Sequence, residues 1–219
     1  TVAAEAPEDA PAVAALPPGV RYRRCDLRDL AAIPALLDAT EAEAGPVTAL
    51  VSNAGVPAAR RGDLLDVTPE AFDRVLAVNL RGGFFLAQAV ARRMIDRPAA
   101  GFRCLIFVTS VSAAMVSTER AEYCVSKAGA AMTAALFAVR LAPHGIGVYD
   151  LRPGVVATPM TAPVAAAYDA RIAQGLVPAG RWGAPEDVAA AVLPLVEGRL
   201  AFATGAVIPV DGGLSIPRL

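Results

Sequence analysis

Histidine, tryptophan and cysteine are scarce in this chain: its 219 residues include one His, one Trp and three Cys. The single imidazole, His144, argues against most histidine-dependent metal sites and against a Ser-His-Asp triad. It precedes Gly145 in a turn-like stretch, and we expect it on the surface. Cys25, Cys104 and Cys124 have neither a metal-ligand spacing nor the even number of a disulfide set. We therefore expect free thiols in a reducing compartment, which favours the cytoplasm.

Long apolar runs and an excess of either charge are absent as well. The longest apolar run, residues 128–139, is too short to cross a bilayer. The net charge is −1, and the basic residues are scattered along the chain. Residues 1–19 lack the basic start and the apolar stretch of a signal peptide. We therefore expect neither a nucleic-acid partner nor a membrane partner.

Short apolar segments alternate with longer segments of helical pattern. We predict strands over residues 20–25, 47–51, 104–108, 146–151 and 207–210, and helices over residues 30–44, 69–96, 121–142, 162–173 and 185–196. This alternation predicts one α/β domain with a mostly parallel sheet. Ligands of such sheets bind at the carboxyl ends of the strands, and unusual residues follow Val51, Val108 and Leu151.

Tyr123 and Lys127 are four positions apart on a predicted helix and therefore share one face. A positive charge beside a phenol favours the phenolate, so Lys127 should lower the pKa of Tyr123 toward the working range. The spacing alone is weak, because it arises by chance in many helices. Its neighbourhood adds weight: Ser110 lies thirteen residues before Tyr123, and Asn79 lies within a helix, where Asn is a poor helix former.

Seven short motifs, in their order and approximate spacing, resemble those of the short-chain dehydrogenase/reductase family. They extend from about Val20 to the C-terminus, and each is weak alone, but the set is specific. They are Asp26-Leu27, Ser52-Asn53-Ala54-Gly55, Val78-Asn79-Leu80, Thr109-Ser110-Val111-Ser112, Tyr123-Cys124-Val125-Ser126-Lys127-Ala128-Gly129, Pro153-Gly154-Val155-Val156-Ala157-Thr158-Pro159-Met160 and Asp211-Gly212-Gly213.

This resemblance implies a Rossmann-like, doubly wound parallel sheet with helices on both faces. It also implies an NAD(P)-dependent oxidoreductase that reduces a carbonyl to an alcohol or catalyses the reverse reaction. In general character the chain is similar to 3-oxoacyl-[acyl-carrier-protein] reductases. The implied cofactor is NADP or NAD, and only the resemblance favours NADP.

The resemblance also implies roles for individual residues. Tyr123 would be the general acid in reduction and the base in oxidation. Lys127 would lower the pKa of Tyr123 and hold the nicotinamide ribose, Ser110 would bind the substrate oxygen, and Asn79 would hold a water that links Lys127 to solvent. The implied cofactor contacts are Asp26 and Leu27 for the adenine, Asn53, Ala54 and Gly55 along the cofactor, and Pro153, Gly154, Val156 and Thr158 at the carboxamide, with Tyr123 and Lys127 beside the nicotinamide.

Other interpretations stay open at this stage. Asp26 could cap the helix that starts near Leu30, Asn79 could bond the backbone of a neighbouring strand, and Ser112 is a rival to Ser110. Pro153-Gly154 could be only a turn. For the whole chain, the alternatives are a sugar-nucleotide epimerase or dehydratase, whose substrate region is longer than the segment after Leu151, and a non-catalytic nucleotide-binding or scaffold protein.

The chain departs from the family at its start. No Gly-rich pyrophosphate-binding turn precedes Asp26; residues 1–16 resemble the helix after the family's second strand, or its loop, and residues 20–25 resemble the third strand. We therefore expect that the natural protein has about thirty to forty residues more, the size of the missing βα unit. Ser52 replaces the first Asn of a family motif, and Tyr149-Asp150 replaces the usual Asn of the sixth strand.

The expected substrate is a small-molecule or acyl-thioester carbonyl compound. Residues 113–116 on one side, and Met160, Val164 and Leu176 on the other, predict a partly apolar pocket. Glu119, Arg120 and Glu122 place charges next to Tyr123 in the sequence. Family members are usually homotetramers built through the two long helices and the C-terminal strand, and we expect the same assembly here.

Overall fold

The structure, a computed structural model, describes residues 2–3, 16–97 and 100–218. The strands of these residues are β1 (Val2–Ala3), β2 (Arg23–Arg24), β3 (Ala49–Ser52), β4 (Arg103–Val108), β5 (Ile146–Pro153) and β6 (Val207–Val210). The α-helices are α1 (Ile33–Ala44), α2 (Pro69–Leu76), α3 (Gly83–Asp96), α4 (Ala121–Leu141), α5 (Ala165–Ala173) and α6 (Pro185–Val196).

The main sheet has four parallel strands in the order β3-β4-β5-β6. Val51 pairs with Ile106, and Ile106 pairs with Tyr149. The first two strands, β1 and β2, form a separate parallel pair. Because the four strands of the main sheet run in one direction, their carboxyl ends lie at one edge.

Helices cover both faces of this sheet. Leu105 and Phe107 of β4, with Ile146 and Val148 of β5, pack in one core that includes buried residues of α1, α3 and α4. Cys104 and Ile106, with Tyr149 and Leu151, pack in a second core that includes Leu195 of α6. Successive residues of a strand point to opposite faces, so each continuous apolar run supplies both cores. The predicted Rossmann-like, doubly wound architecture is confirmed.

Local chemistry explains where several helices begin. Thr68 caps α2 by accepting a hydrogen bond from the Ala71 amide at 3.3 Å, and Pro69 occupies the first helical position. Helix α6 begins at Pro185, where the Asp187 carboxylate accepts a hydrogen bond from the Ala184 amide at 2.7 Å. Both starts were predicted at these residues.

The start of the chain differs from the prediction. Val2–Ala3 is a strand that pairs with β2, not part of a helix or of the loop after it; residues 4–15 lie outside the described residues. The predicted strand over residues 20–25 contracts to Arg23–Arg24. Pro17 and Gly19 form a turn that ends at Val20, whose amide donates to the Pro17 carbonyl, and this turn shortens the extended segment.

The predicted helix over residues 69–96 is continuous, but a π-helical segment, Ala77–Gly82, separates α2 from α3. Gly82, the last residue of this segment, lies against the backbone of Leu27: a Cβ at Gly82 would be 2.6 Å from the Leu27 carbonyl oxygen. π-Helical turns are rare and are often found at functional sites.

Among the described residues, one helical stretch, Thr118–His144, is long and apolar enough to cross a membrane by length and composition. The apolar run of residues 128–139 is only part of it. The core helix of a globular protein passes the same test, and α4 contributes Ala134, Ala138 and Leu141 to the core beneath the sheet.

Candidate active site

The structure brings Ser110, Tyr123 and Lys127 together at the carboxyl edge of the sheet. Ser110 follows β4 and is buried, while Tyr123 and Lys127 lie on successive turns of α4. The Ser110 hydroxyl lies close enough to the Tyr123 phenol to lower its pKa as a hydrogen-bonding partner. It also accepts a hydrogen bond from the Ser112 amide at 3.0 Å, which fixes its position. Ser112, the rival candidate, is directed instead to Arg120, whose Nη2 lies 3.4 Å from the Ser112 hydroxyl.

The pKa of Tyr123 departs from the sequence prediction. Burial raises this pKa, and the hydrogen bond with Ser110 and the positive charge of Arg120 oppose the rise without cancelling it. The net direction is therefore upward, whereas a lowering by Lys127 was predicted. Lys127 lies close, with Nζ 5.7 Å from the centre of the Tyr123 ring, but the burial of the phenol outweighs the favourable charges.

Lys127 is almost fully buried, with 6 % of its surface exposed. Its Nζ donates to the Val108 carbonyl at 3.1 Å, at the end of β4. Burial lowers its pKa from 10.5 to about 8, and the negative charge of Asp150 opposes this lowering. An ammonium group with one main-chain partner retains two further N–H donors. Those donors and the position beside Tyr123 suit a residue that binds ribose hydroxyls.

Asn79 lies in the π-helical segment and connects three parts of the site. Its side-chain oxygen accepts a hydrogen bond from the Val56 amide at 2.7 Å, and its Nδ2 donates to the Val56 carbonyl at 3.0 Å and to Ser126 Oγ at 3.1 Å. The side chain therefore holds the loop after β3 against α4. These bonds correspond to the structural interpretation of Asn79, and a water-holding role stays a prediction.

The loop after β3 has the features expected along a bound dinucleotide. Asn53 and Ala54 are exposed, and Gly55 is half-buried. A Cβ at Gly55 would lie 3.3 Å from Asn79 Oδ1 and 3.6 Å from Lys127 Nζ. The absent side chain thus leaves space beside the lysine ammonium, where a ligand backbone or ring could lie. The residues of this edge fit the cofactor that the sequence predicts.

Asp26 and Leu27, the predicted adenine contacts, have different environments. The Asp26 carboxylate is bound by Arg28, whose Nε donates to both its oxygens at 3.0 and 2.9 Å, and this bond lowers the Asp26 pKa. Asp26 does not cap the 3-10 turn at Leu30, because Asp29 does. Leu27 is buried in the core against Gly82. Of these two residues, only Asp26 has a polar side chain, and it is half-buried.

The segment after β5 is a shaped loop. Pro153 is the last residue of β5, and Gly154 lies so close to the residue after β6 that a Cβ would be 2.8 Å from Asp211 Cα. Val156 is buried and forms an isolated bridge with Gly183. The Thr158 amide donates to Thr161 Oγ1 at 3.0 Å, so Thr161 holds the backbone that the sequence assigns to the cofactor.

A buried polar cluster beneath the site was not assigned from the sequence. Asp150 of β5 is 3 % exposed, accepts a hydrogen bond from Thr109 Oγ1, and forms an ion pair with Arg152 at 2.7 Å. A signal for it was present: two charges at alternate positions of an apolar strand share one face. This is the face of Val148, toward α4 and Lys127. The Asp150 carboxylate thus lies near the Lys127 ammonium and forms an ion pair with the Arg152 guanidinium.

The expected substrate side of the site combines apolar and cationic groups. Met115, Val116 and Met160, which the sequence assigned to the pocket, are all exposed. The guanidinium of Arg120 lies over the Tyr123 ring, with Cζ 5.5 Å from its centre. Tyr168 of α5 packs edge-to-face on Trp182 and acts on the pKa of Tyr123, which it raises. An arginine therefore adjoins the Tyr123 phenol, and an aromatic pair lies near enough to act on its pKa.

Comparison with known proteins agrees with this geometry. The family model described as enoyl-(acyl carrier protein) reductase matches residues 2–215. The chain belongs to the short-chain dehydrogenases/reductases, a family of oxidoreductases.

Relatives within the short-chain dehydrogenases/reductases have several names. The chain is 37% identical to the 3-oxoacyl-[acyl-carrier-protein] reductase MabA of Mycobacterium tuberculosis over 203 residues, which are 91% of this chain and 78% of MabA. A 3-oxoacyl-[acyl-carrier protein] reductase of Brucella melitensis, solved in complex with NAD, has 43% identity and a TM-score of 0.94 over 100% of this chain and 87% of that one. A gluconate 5-dehydrogenase of Burkholderia cenocepacia, solved in complex with NADP and tartrate, has 31% identity and a TM-score of 0.83. The match covers 90% of this chain and 76% of that one.

Proposed function

We propose that this chain is an NAD(P)-dependent oxidoreductase that reduces a carbonyl, of 3-oxoacyl type or similar, to an alcohol, or catalyses the reverse reaction. The observation that carries this proposal is the convergence of a buried serine hydroxyl, a phenol and a lysine ammonium beside the loop after β3. The solved relatives add support, since one of them holds NAD and another holds NADP.

The chain's own groups divide the work at the carbonyl oxygen. The Ser110 hydroxyl donates to this oxygen and holds it at bonding distance from Tyr123. The Tyr123 hydroxyl then gives its proton to the oxygen in reduction, and the phenolate takes it back in oxidation. The Lys127 ammonium stabilises the phenolate through its charge, and Asn79 holds the loop after β3 in place for this chemistry.

Different residues of the site would bind different parts of the cofactor. A bound nicotinamide would supply the hydride in reduction or accept it in oxidation. Lys127 would hold its ribose hydroxyls; Asn53, Ala54 and Gly55 would lie along it; and Pro153, Gly154, Val156 and Thr158 would position its carboxamide. Asp26 would contact the adenine, and Leu27, which is buried in the core, would support this contact from below.

We further propose that one Rossmann-type domain acts in the cytoplasm as a homotetramer, with no nucleic-acid or membrane partner. The free state of Cys25, Cys104 and Cys124 suits a reducing compartment. Helix α4 has an outer side on which Met132, Leu136 and Val139 are 60, 58 and 80% exposed. A second copy of the chain would cover these side chains.

The decisive test is Tyr123→Phe, which removes the proton donor and keeps the aromatic ring. We expect the rate of NAD(P)H consumption with a 3-oxoacyl ester to fall by at least about 100-fold, the usual contribution of a positioned acid. Cofactor binding, followed by NAD(P)H fluorescence, should change little. Tyr22→Phe is the matched control and should retain the wild-type rate.

Two outcomes would contradict the proposal. Full activity of Tyr123→Phe would remove the phenol from the mechanism. Binding of NAD(P)H without turnover of any carbonyl compound or alcohol would favour the non-catalytic nucleotide-binding alternative.

A further inference from the structure

Arg120 has an unusual position for a charged residue. It immediately precedes α4, is half-buried, and its guanidinium lies 5.5 Å from the centre of the Tyr123 ring. Its side-chain partners are two neutral hydroxyls at long distances: Nε lies 3.4 Å from Ser117 Oγ, and Nη2 lies 3.4 Å from Ser112 Oγ. Within residues 16–97 and 100–218, no carboxylate is within ion-pair distance of it.

Two further arginines stand at the same side of the site. Arg61 and Arg171 each lie with Cζ 5.8 Å from the centre of the Tyr168 ring. The loop that contains Arg61 is tied to the segment of Arg120 by a hydrogen bond from the Gly62 amide to the Glu119 carbonyl at 3.3 Å. In the described part of the chain these two guanidinium groups also have no carboxylate partner.

The acidic residues of this region do not neutralise the three arginines. Asp169 accepts a hydrogen bond from the Trp182 ring nitrogen at 2.7 Å, and Asp63 caps the turn at Leu64. Glu119 is exposed and Glu122 is buried, and neither forms an ion pair with an arginine of the described residues. By contrast, Arg28, Arg93, Arg97, Arg152, Arg181 and Arg199 all pair with carboxylates in this structure. Arg60, Arg74, Arg92 and Arg140 also lack a carboxylate partner within the described ranges, but all four are exposed. Arg120 differs from them because it is half-buried beside the Tyr123 ring.

We propose that the substrate is an oxo acid, or the corresponding hydroxy acid, whose carboxylate binds Arg120 while its carbonyl oxygen binds Ser110 and Tyr123. A guanidinium matches a carboxylate with two parallel N–H groups, and a half-buried pair is stronger than an exposed one. The short distance from Arg120 to the Tyr123 ring places the carboxylate only a few carbons from the carbonyl. Arg61 and Arg171, which are exposed, attract the anion to the entrance.

This inference rests on the proposed function and narrows it. An acyl thioester has no negative charge at the position that Arg120 faces, whereas the free acid has one. The chain should therefore prefer an acid to its uncharged ester.

The test compares acetoacetate with methyl acetoacetate in the wild type, Arg120→Gln and Arg120→Lys. We expect the wild type to have a higher kcat/KM for the acid than for the ester. Arg120→Gln should lower kcat/KM for the acid by roughly 10- to 100-fold, mainly through KM, because one hydrogen-bonded charge is lost. The ester should be affected far less, and Arg120→Lys should recover part of the acid activity.

Arg140→Gln is the matched control, because Arg140 is an exposed arginine of α4 that bonds His144 instead. It should leave the ratio of acid to ester unchanged. An equal fall for acid and ester in Arg120→Gln would overturn the inference, because Arg120 would then act only through Tyr123. A wild-type preference for the ester would overturn it as well.

A binding measurement separates this inference from the proposed function. Titration calorimetry with 3-hydroxybutanoate, in the presence of NADPH or NADH, does not depend on turnover, because an alcohol and a reduced cofactor cannot exchange a hydride. Binding that Arg120→Gln abolishes supports the carboxylate site even if the proposed reaction fails. Absent binding, or equal binding by both proteins, overturns it.

Discussion

At the scale of single residues, the protonation of Lys127 depends on the buried charge of Asp150 and on the Arg152 guanidinium that pairs with it. Lys127 is held beneath the site by the Val108 carbonyl, and burial brings its pKa to about 8. Asp150 raises that pKa, while Arg152 partly neutralises Asp150. The charge of Lys127 therefore depends on these two residues of β5.

Asp150 and Arg152 should act on the pKa of Lys127 in opposite directions, so their removal should shift this pKa in opposite directions as well. Asp150→Asn removes a negative charge and leaves Arg152 unpaired, so the pKa of Lys127 should fall further below its usual value, by roughly one unit. Arg152→Gln leaves Asp150 uncompensated, so the pKa should rise.

The pH profile of kcat/KM for reduction tests this prediction. Loss of the ammonium form limits the rate on the alkaline side, so this limb should shift to lower pH in Asp150→Asn and to higher pH in Arg152→Gln. Nitrogen NMR of Lys127 Nζ should give the same order of pKa values. Shifts of both variants in one direction would disprove the electrostatic account.

At the scale of secondary-structure elements, the contact between the π-helical segment and Leu27 joins two parts of the fold. A Cβ at Gly82 would lie 2.6 Å from the Leu27 carbonyl oxygen and 2.7 Å from its Cβ. Both atoms belong to, or lie next to, backbone, so the clash cannot be relieved by rotation of a side chain.

Gly82→Ala should therefore destabilise the protein by about 1–3 kcal/mol, the usual cost of overpacking. Urea denaturation followed by circular dichroism measures the free energy of unfolding. Gly62→Ala is the control, since a Cβ there meets only the end of the Arg60 side chain at 3.7 Å. An equal free energy of unfolding of Gly82→Ala and the wild type would contradict the prediction, because the backbone near Leu27 would then move aside at little cost.

Much of this element layout could be predicted from the sequence. Strand β6 and helix α6 begin and end where the pattern placed them, because Pro185 and a short apolar run mark their limits. The π-helical segment could not be predicted, since a single wider turn within a long helix has no start or stop residue of its own. The limits of β2 depend on the turn of Pro17 and Gly19 and on the pairing with Val2–Ala3, and no local pattern reveals this pairing.

The candidate site divides in the same way. Tyr123, Lys127 and Ser110 could be proposed because they stand in the set of family motifs, whereas the four-residue spacing of Tyr123 and Lys127 alone is weak. The net pKa of Tyr123 could not, because burial outweighs the charges. Asp150 and Arg152 were detectable as charges in an apolar strand, but only the packing of α4 on β5 shows that they face Lys127.

At the scale of the whole molecule, the outer side of α4 exposes several apolar side chains, among them Met132, Leu136 and Val139. Met132 also lines a hollow of about 240 Å³ between α4, β5 and β6, next to Val148 and Val207. Monomeric proteins rarely leave such a contiguous apolar surface exposed. This surface is the part of the chain that the proposed homotetramer would bury.

A double substitution, Met132→Glu with Leu136→Glu, should disrupt that assembly. Two negative charges on the buried side of an interface carry a large desolvation cost. Analytical ultracentrifugation should show smaller species than the wild type at equal concentration. Leu65→Glu is the control, because Leu65 is 84% exposed and lies outside α4. A wild type that sediments as a monomer would contradict the proposal directly.

The common direction of β3, β4, β5 and β6 has a consequence for how such a protein can change. Ser110, Tyr123 and Lys127 of the candidate site lie in a loop or near a helix start at one edge of the sheet. The opposite edge holds turns such as the one at Gly145 and the bonds of Arg103 to the Met94 and His144 carbonyls. Selection can therefore alter specificity at one edge and thermal tolerance at the other with little conflict between them. An engineer has the same freedom.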